Sequence, residues 1–419
     1  MKTWTLAVRT VEVGDPGDLV TRLPDTAGFA WVRRGQGLVA WGEAARVEVG
    51  AGEDRFARAA SALTGLLDRA EVDDAVGLPG TGPVAFGSFT FDPDCEGSVL
   101  VVPRMVLGRR GGRAWLTTVG GGGRDEVGPV QALPAPGRIR YAGASFSEVR
   151  WMEAVDAAVR AIRRGELAKV VLARDVRVWS EQRLDPRALV HRLAERFPQC
   201  FAFACAGLVG ATPELLVRRL GDLVESVPLA GSAARGPNRA EDARLGEALM
   251  ASEKNRGEHQ LAVDSVKRVL GPLCVCLDVD PQPWLLRLGN VQHLATALRG
   301  RLARPLGSLD LAGALHPTAA VCGAPTAMAL DCIRALEGMD RGRYAGPVGW
   351  TDARGDGEWG IALRCAEVDG PRARLFAGAG LVAASLPEAE LEETRLKLLA
   401  MQSALCDHGA IHPKGTSPF

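Results

Sequence analysis

Glu390 and Glu393 stand three residues apart, and Lys397 follows four residues after the second. In a helix those intervals put all three on one face. Two such carboxylates can hold a hard cation through oxygen ligands, with water filling the remaining positions. The same spacing also describes a solvated face with a Glu-to-Lys pair. Glu258-His259 lies in another helical stretch and could add a carboxylate to the same ion, or be plain surface. In a closed cleft, Glu258, Glu390 and Glu393 would repel one another unless a cation lay between them. Lys169 opens a run of mostly apolar residues. An ammonium partly buried there can act as a base, unless its stem carries it out to water. Glu214 follows Thr212-Pro213 at a strand entrance. Burial there would raise its pKa and make it a proton donor, and an open edge would leave it ordinary. Gly378-Ala379-Gly380 and Pro228-Leu229-Ala230-Gly231-Ser232 let backbone N–H groups approach a ligand closely, or simply pack tightly. No Walker A, His-Glu-x-x-His or Gly-x-Ser-x-Gly pattern occurs, and nothing matches a full Rossmann fingerprint.

These residues need elements to position them. Apolar periodicity predicts a helix over Asp54–Ala70, with Phe56, Ala60, Leu63 and Leu67 inward, and another over Phe146–Arg164, ended by Gly165. The second would bury Val149, Met152, Val155, Ala158, Val159 and Ile162. Pro237–Leu270 reads as helical with a break near Gly257 and a stop at Gly271-Pro272, and Pro387–Leu405 as a closing helix. Lys169–Val176 reads as a strand. Leu215–Leu220 and Leu223–Val227 form a hairpin across Gly221-Asp222, and Ile361–Val368 and Ala373–Phe376 another across Asp369-Gly370. Residues 1–103 alternate short strands with the first helix. Gly120–Gly123 and Pro134-Ala135-Pro136-Gly137 mark either a domain boundary or a long surface excursion. His408–Phe419 reads as a frayed polar tail. There is no internal repeat and no strict βαβ alternation, so strand-rich sheets covered by helices are expected rather than a doubly wound fold.

The chain has 419 residues, 47% apolar and 24% charged, enough for a large core and, by length alone, for two or three domains. Fifty basic and fifty acidic residues balance, which gives no electrostatic reason to expect nucleic acid or a membrane as partner. Nine scattered cysteines without a Cys-x-x-Cys pair argue against zinc or thioredoxin chemistry. Free, mostly buried thiols in a reducing cytoplasm are expected instead. The N-terminus lacks the apolar run of a signal peptide, and no stretch approaches the ~20 apolar residues of a membrane span.

Ten segments follow one another: Lys169-Val-Val-Leu-Ala-Arg174, Ala211-Thr-Pro-Glu-Leu-Leu216, Pro228-Leu-Ala-Gly-Ser232, Glu258-His259, Val291-Gln-His-Leu294, Leu315-His-Pro-Thr318, Tyr344-Ala-Gly-Pro-Val-Gly-Trp350, Gly355-Asp-Gly-Glu-Trp359, Gly378-Ala-Gly-Leu-Val382 and the Glu390/Glu393/Lys397 helix. In this order they resemble the chorismate-utilising enzymes: isochorismate synthase, salicylate synthase, anthranilate synthase component I and aminodeoxychorismate synthase component I. The resemblance covers residues 146–407 as a catalytic region. Residues 1–145 would be a divergent part of the same fold, although Phe89-Thr-Phe-Asp-Pro93 resembles the aromatic-Asp-Pro patch of isochorismate synthases.

The resemblance implies an α+β fold, a single large domain of two packed antiparallel sheets with helices outside and a deep cleft between them. It implies Mg²⁺-dependent conversion of chorismate to isochorismate, with water adding at ring carbon 2 as the hydroxyl at carbon 4 leaves. Lys169 would activate the water and Glu214 protonate the leaving hydroxyl. Glu258 and Glu393 would ligate Mg²⁺ directly, Glu390 directly or through water. His293 would orient the ring carboxylate, and Tyr344 and Arg364 would contact the enolpyruvyl carboxylate. Gly378 and Gly380 would supply backbone donors and Lys397 positive charge, with Gly231, Ser232 and Ala320 also on the substrate. Lys169 argues for water rather than ammonia as nucleophile. Ala320, where salicylate synthases carry threonine, argues against a following pyruvate elimination, the alternative activity. Asn255 replaces a usual acid, Ala319 a usual proline and Cys322 a usual glycine. A non-catalytic scaffold would have no need of Lys169, Glu214, Glu258 and Glu393 together. A monomer or weak homodimer is expected.

Overall fold

Two large sheets face each other across a core of aromatic and branched side chains. The computed structural model describes residues 6–24, 28–120, 127–135 and 137–406. The larger sheet has thirteen strands. It starts at Ile139–Gly143, continues through Lys169–Ser180 and Arg372–Leu381, and ends at Leu6–Val13, beside which Ala70–Asp74 runs parallel. Every other pairing in it among the described residues is antiparallel, as hairpin-connected strands favour. The second sheet has nine strands, from Cys274–Val279 to Ala45–Val49. A third sheet, which the sequence did not reveal, joins Leu229–Ala234, Val291–Ala295 and Trp284–Arg287.

Between the two large sheets lie Trp31, Phe86, Phe203, Trp350 and Trp359, all essentially fully buried. Trp31 stacks on Phe201 with ring centres 4.8 Å apart. Among the described residues, eight α-helices cover the sheets: α1 (Arg55–Leu67), α2 (Glu148–Arg163), α3 (Pro186–Arg196), α4 (Arg239–Ala251), α5 (Glu253–Leu270), α6 (Ser308–Leu315), α7 (Thr326–Leu336) and α8 (Pro387–Leu405). On the outer face of the larger sheet, Leu189 and Leu193 of α3 and Leu398 and Met401 of α8 close a second cluster over Val209 and Leu375. Strands from residues before 146 extend both sheets. Gly28–Arg33 pairs with Phe201–Cys205, and Val84–Ser88 with Pro347–Asp352. The strands flanking the Gly-rich stretch, Arg113–Val119 and Ile139–Gly143, belong to one sheet, and Gln131 N bonds Thr21 O along the way. Gly121–Gly123, Pro136 and His408–Phe419 lie outside the described residues.

Several boundaries differ from expectation. In α2, Ser147 caps the start and Val149 is exposed, while the unanticipated Trp151 is buried, donating through Nε1 to Ala173 O. The helical stretch after Pro237 breaks at Ser252 and not at Gly257. Ser252 is extended, and its hydroxyl accepts from Asn255 N to start α5, an N-cap that outweighs a mid-helix glycine. Ile361–Val368 is not one strand. Gly357–Ile361 lies in the nine-stranded sheet and Cys365–Asp369 in the larger one, so the chain changes layers between them. The first helix stops at Leu67, because Ala70 already opens a strand. All nine cysteines are free, but only Cys200, Cys205, Cys322 and Cys365 are buried, and Cys276 is exposed. No helix among the described residues is long and apolar enough to cross a membrane.

Candidate active site

A cleft opens where strand ends of the sheets meet α5 and α8. Glu214, Gly231, Ser232, Glu258, His293, Ala320, Tyr344, Arg364, Gly378, Gly380, Glu393 and Lys397 all line it. Lys169 stands immediately behind that lining, and Glu390 lies one helical turn from Glu393, buried. Residues spread over more than two hundred positions are thus gathered by the folding of the sheets.

Lys169 heads its strand with its side chain fully buried, Nζ 3.1 Å from Glu258 Oε1 but not aligned for a hydrogen bond. A Cβ at Gly380 would sit 2.1 Å from Glu258 Oε1 and 3.2 Å from Lys169 Cε, so a larger residue there would push the Glu258 carboxylate aside. Gly380 therefore makes room for this pair, the packing reading of the glycine motif. Gly378 presents its carbonyl, which accepts from Lys397 Nζ at 2.8 Å. Gly231 has φ +73°, a conformation that favours glycine, at a bulge against Val291–Ala295.

Glu214 is buried at the start of its strand. Burial pushes its pKa to about 8, although Leu229 N–H and the charges of Lys169 and Lys397 pull the other way. Desolvation wins, so the carboxyl holds a proton at neutral pH. Arg364 Nη2 donates to His293 Nε2 at 2.9 Å. A guanidinium only donates, so the imidazole carries its proton on Nδ1, facing Ser232 Oγ at 3.1 Å and Gly231 O at 3.3 Å. Burial, then Arg364 and Lys397, keeps His293 neutral, with its pKa well below the usual value. Arg364 sits where the chain changes sheets, at φ +47°, a costly conformation for a bulky residue that cleft geometry must hold in place. Tyr344 stacks on Phe376, ring centres 5.0 Å apart and 9° from parallel.

The three candidate ligand carboxylates do not simply repel one another. Each has its own lysine: Glu258 with Lys169, Glu393 with Lys397 at 2.6 Å, Glu390 with Lys254 at 2.9 Å. Burial would raise the pKa of Glu393, but Lys397 outweighs it and holds the residue below the carboxylate range. Burial and the charge of Glu393 push Glu390 upward against Lys254. No group of three or more ligating side chains is drawn together among the described residues. As donor chemistry, carboxylate oxygens on two helices beside a cleft fit a hard divalent cation.

Three contributors escaped the sequence reading. Arg341 lines the cleft and is almost fully buried. It donates to Val171 O at 2.7 Å, to Val321 O at 2.9 Å and to Glu337, whose carboxylate also accepts from Ala173 N at 2.8 Å. This pair fixes the Lys169 strand to the loop bearing Ala320. Glu337 gave no signal, whereas Arg341 stands three residues before Tyr344 in a recognised segment. Lys254 could have been found from its spacing, four residues before Glu258. Of the departures, Asn255 turns its amide to Ser252 Oγ at 2.9 Å, Ala319 N donates to Ser265 Oγ at 3.3 Å, and Cys322 is buried with its carbonyl accepting from Val171 N.

Residues 131–406 match the family model described as chorismate binding enzyme. The chain is 39% identical over 417 residues to the salicylate biosynthesis isochorismate synthase of Pseudomonas aeruginosa, covering 91% of this chain and 85% of that protein. It is 35% identical over 353 residues to the isochorismate synthase MenF of Bacillus subtilis, covering 77% and 75%. The structure superposes on MenF, the menaquinone-specific isochorismate synthase from Escherichia coli, with TM-score 0.81 and 27% identity over 96% of this chain and 94% of that one. With its cleft, its ten ordered segments and this coverage, the chain belongs to the chorismate-binding enzyme family.

Proposed function

We propose that the chain is an isochorismate synthase, moving the ring hydroxyl of chorismate by adding water at carbon 2 and expelling the hydroxyl at carbon 4. The observation that carries this is Glu214, a carboxyl that keeps its proton to about pH 8 beside lysines that would otherwise ionise it. A hydroxyl leaves far more readily as water than as hydroxide, so a retained proton at this wall is what the departure needs. Lys169, on the strand paired with Gly378 and Gly380, takes the proton of the attacking water when it stands as the free amine. Balance requires only that the proton given by Glu214 and the one taken by Lys169 exchange again through solvent.

Chorismate carries two carboxylates. Arg364, oriented by its bond to neutral His293, binds the enolpyruvyl carboxylate beside Tyr344. Mg²⁺ held by Glu258, Glu393 and Glu390 would offset the charge of the ring carboxylate and of the transition state. Ala320 presents only a methyl group, so no hydroxyl there fixes the enolpyruvyl arm for pyruvate elimination. The test is incubation with chorismate and Mg²⁺ in ¹⁸O-water, followed by chromatography, ultraviolet spectroscopy and mass spectrometry. The expected product is isochorismate bearing one heavy oxygen. Absence of label, or of conversion, overturns the proposal.

A further inference from the structure

The three lysines that neutralise the carboxylates differ in how firmly they are held. Lys169 is fully buried, and Lys397 is tied both to Glu393 and to Gly378 O. Lys254 instead rises from the first turn of α5 with 36% of its side chain exposed, while the Glu390 side chain it reaches is only 3% exposed. A lysine stem lets the ammonium move into water with little rearrangement. Glu390, sealed on α8, has no such freedom. The break at Ser252 gives Lys254 its place on that first turn, because Ser252 Oγ caps α5 two residues earlier.

We propose that Lys254 is an internal competitor of the divalent cation, a tethered positive charge that holds Glu390 until metal binds and must let go before Glu390 can serve as a ligand. This rests on the metal reading given above. The charges around it fit. With Asn255 neutral, three lysines face three carboxylates, so each carboxylate has a cation beside it before any metal binds. Two cations cannot share Glu390 Oε1 without repulsion, so metal entry displaces Lys254, and metal affinity is lower than the carboxylates alone would give. Coupled equilibria of this kind are reciprocal and typically span about 5–150-fold.

Mn²⁺ serves as the probe, because its free and bound forms are distinguished by electron paramagnetic resonance without any turnover. Lys254→Met is expected to bind Mn²⁺ about 5–150-fold more tightly than the wild type, and Lys254→Arg to bind like the wild type. In a Glu390→Gln background, Lys254→Met should bring no further gain, because the carboxylate competed for is gone. Thermal melting of each variant checks folding, with Lys254→Gln replacing Lys254→Met if the latter is unstable. Equal or weaker binding by Lys254→Met overturns the proposal, as does a gain that persists without Glu390. If neither wild type nor Lys254→Met binds Mn²⁺, the metal reading itself falls and takes the competitor with it.

Discussion

The cleft has two walls of different construction. One is sheet: Lys169 sits on a strand paired with Arg372–Leu381 from Val170 to Trp179, and the buried Arg341–Glu337 pair fastens that strand to the Ala320 loop. The other is helix: α5 and α8 carry Glu258, Glu390, Glu393 and Lys397, held by lysine–carboxylate pairs and not by a backbone ladder. A hydrogen-bonded ladder fixes distances to tenths of an ångström and tolerates little exchange. Ion pairs at a cleft edge re-form with another cation or anion at small cost. In the proposed reading, groups that must meet reacting atoms at a fixed distance would stand on the first wall, and groups that change partners during a cycle on the second.

The largest effect is expected at the helix wall. Chelation with EDTA should abolish turnover, and Mg²⁺ should restore it, while circular dichroism stays native because the lysines already balance the carboxylates. Full turnover in metal-free buffer would remove the helix wall's assigned purpose.

On the sheet wall, Lys169→Ala and Glu214→Gln should each lose about 10²–10⁴-fold in kcat. Near-wild-type turnover in either variant would cancel that residue's role. Glu214 also sets a pH limb. Its acid form is needed, so activity should fall as pH rises through about 8, and the limb should vanish in Glu214→Gln. The sign for stability agrees. Between 4.5 and about 8 the folded state holds a proton that the unfolded chain has lost, so this residue's contribution to stability falls with rising pH.

Glu337→Ala strands the Arg341 guanidinium in the interior. Breaking such a buried pair costs about 3–5 kcal/mol, which calorimetry should show as a lower Tm. The surviving protein should lose kcat but bind Mn²⁺ as the wild type does, since the damage lies in the sheet wall. Weakened metal binding would mean that the two walls are coupled. The smallest effect is expected from Ala320→Thr, which should shift part of the product from isochorismate to salicylate plus pyruvate, measured against spontaneous breakdown of isochorismate. An unchanged product ratio would make Ala320 a packing residue only.

The helix wall was the more legible in the sequence. Pro387 and an uninterrupted run to Leu405 bound α8 to the residue, and the Glu390/Glu393/Lys397 spacing is local. The hairpin across Gly221-Asp222 was equally readable, because the turn residues are adjacent to the strands they join. The sheet wall depends on partners far apart in the chain. Glu337 is 164 residues from Ala173, whose amide it accepts, and nothing near it in sequence marks the bond. The third sheet and the split at Arg364 were hidden for the same reason, since an apolar run does not say which layer it joins. At Ser252 a capping hydroxyl outweighed the more conspicuous Gly257.

Arg364 stands where the polypeptide passes from one layer of the sandwich to the other, with Trp359 packed inside just before it and Cys365 just after. That makes it a mechanical joint as well as a proposed substrate contact. Ala362, Leu363 and Arg364 are the whole link between those layers, so a shift of one layer against the other is delivered close to the guanidinium. If Arg364 binds the substrate carboxylate as proposed, the bulk of distant aromatic rings in the interior becomes a determinant of how well that small anion is gripped in the cleft.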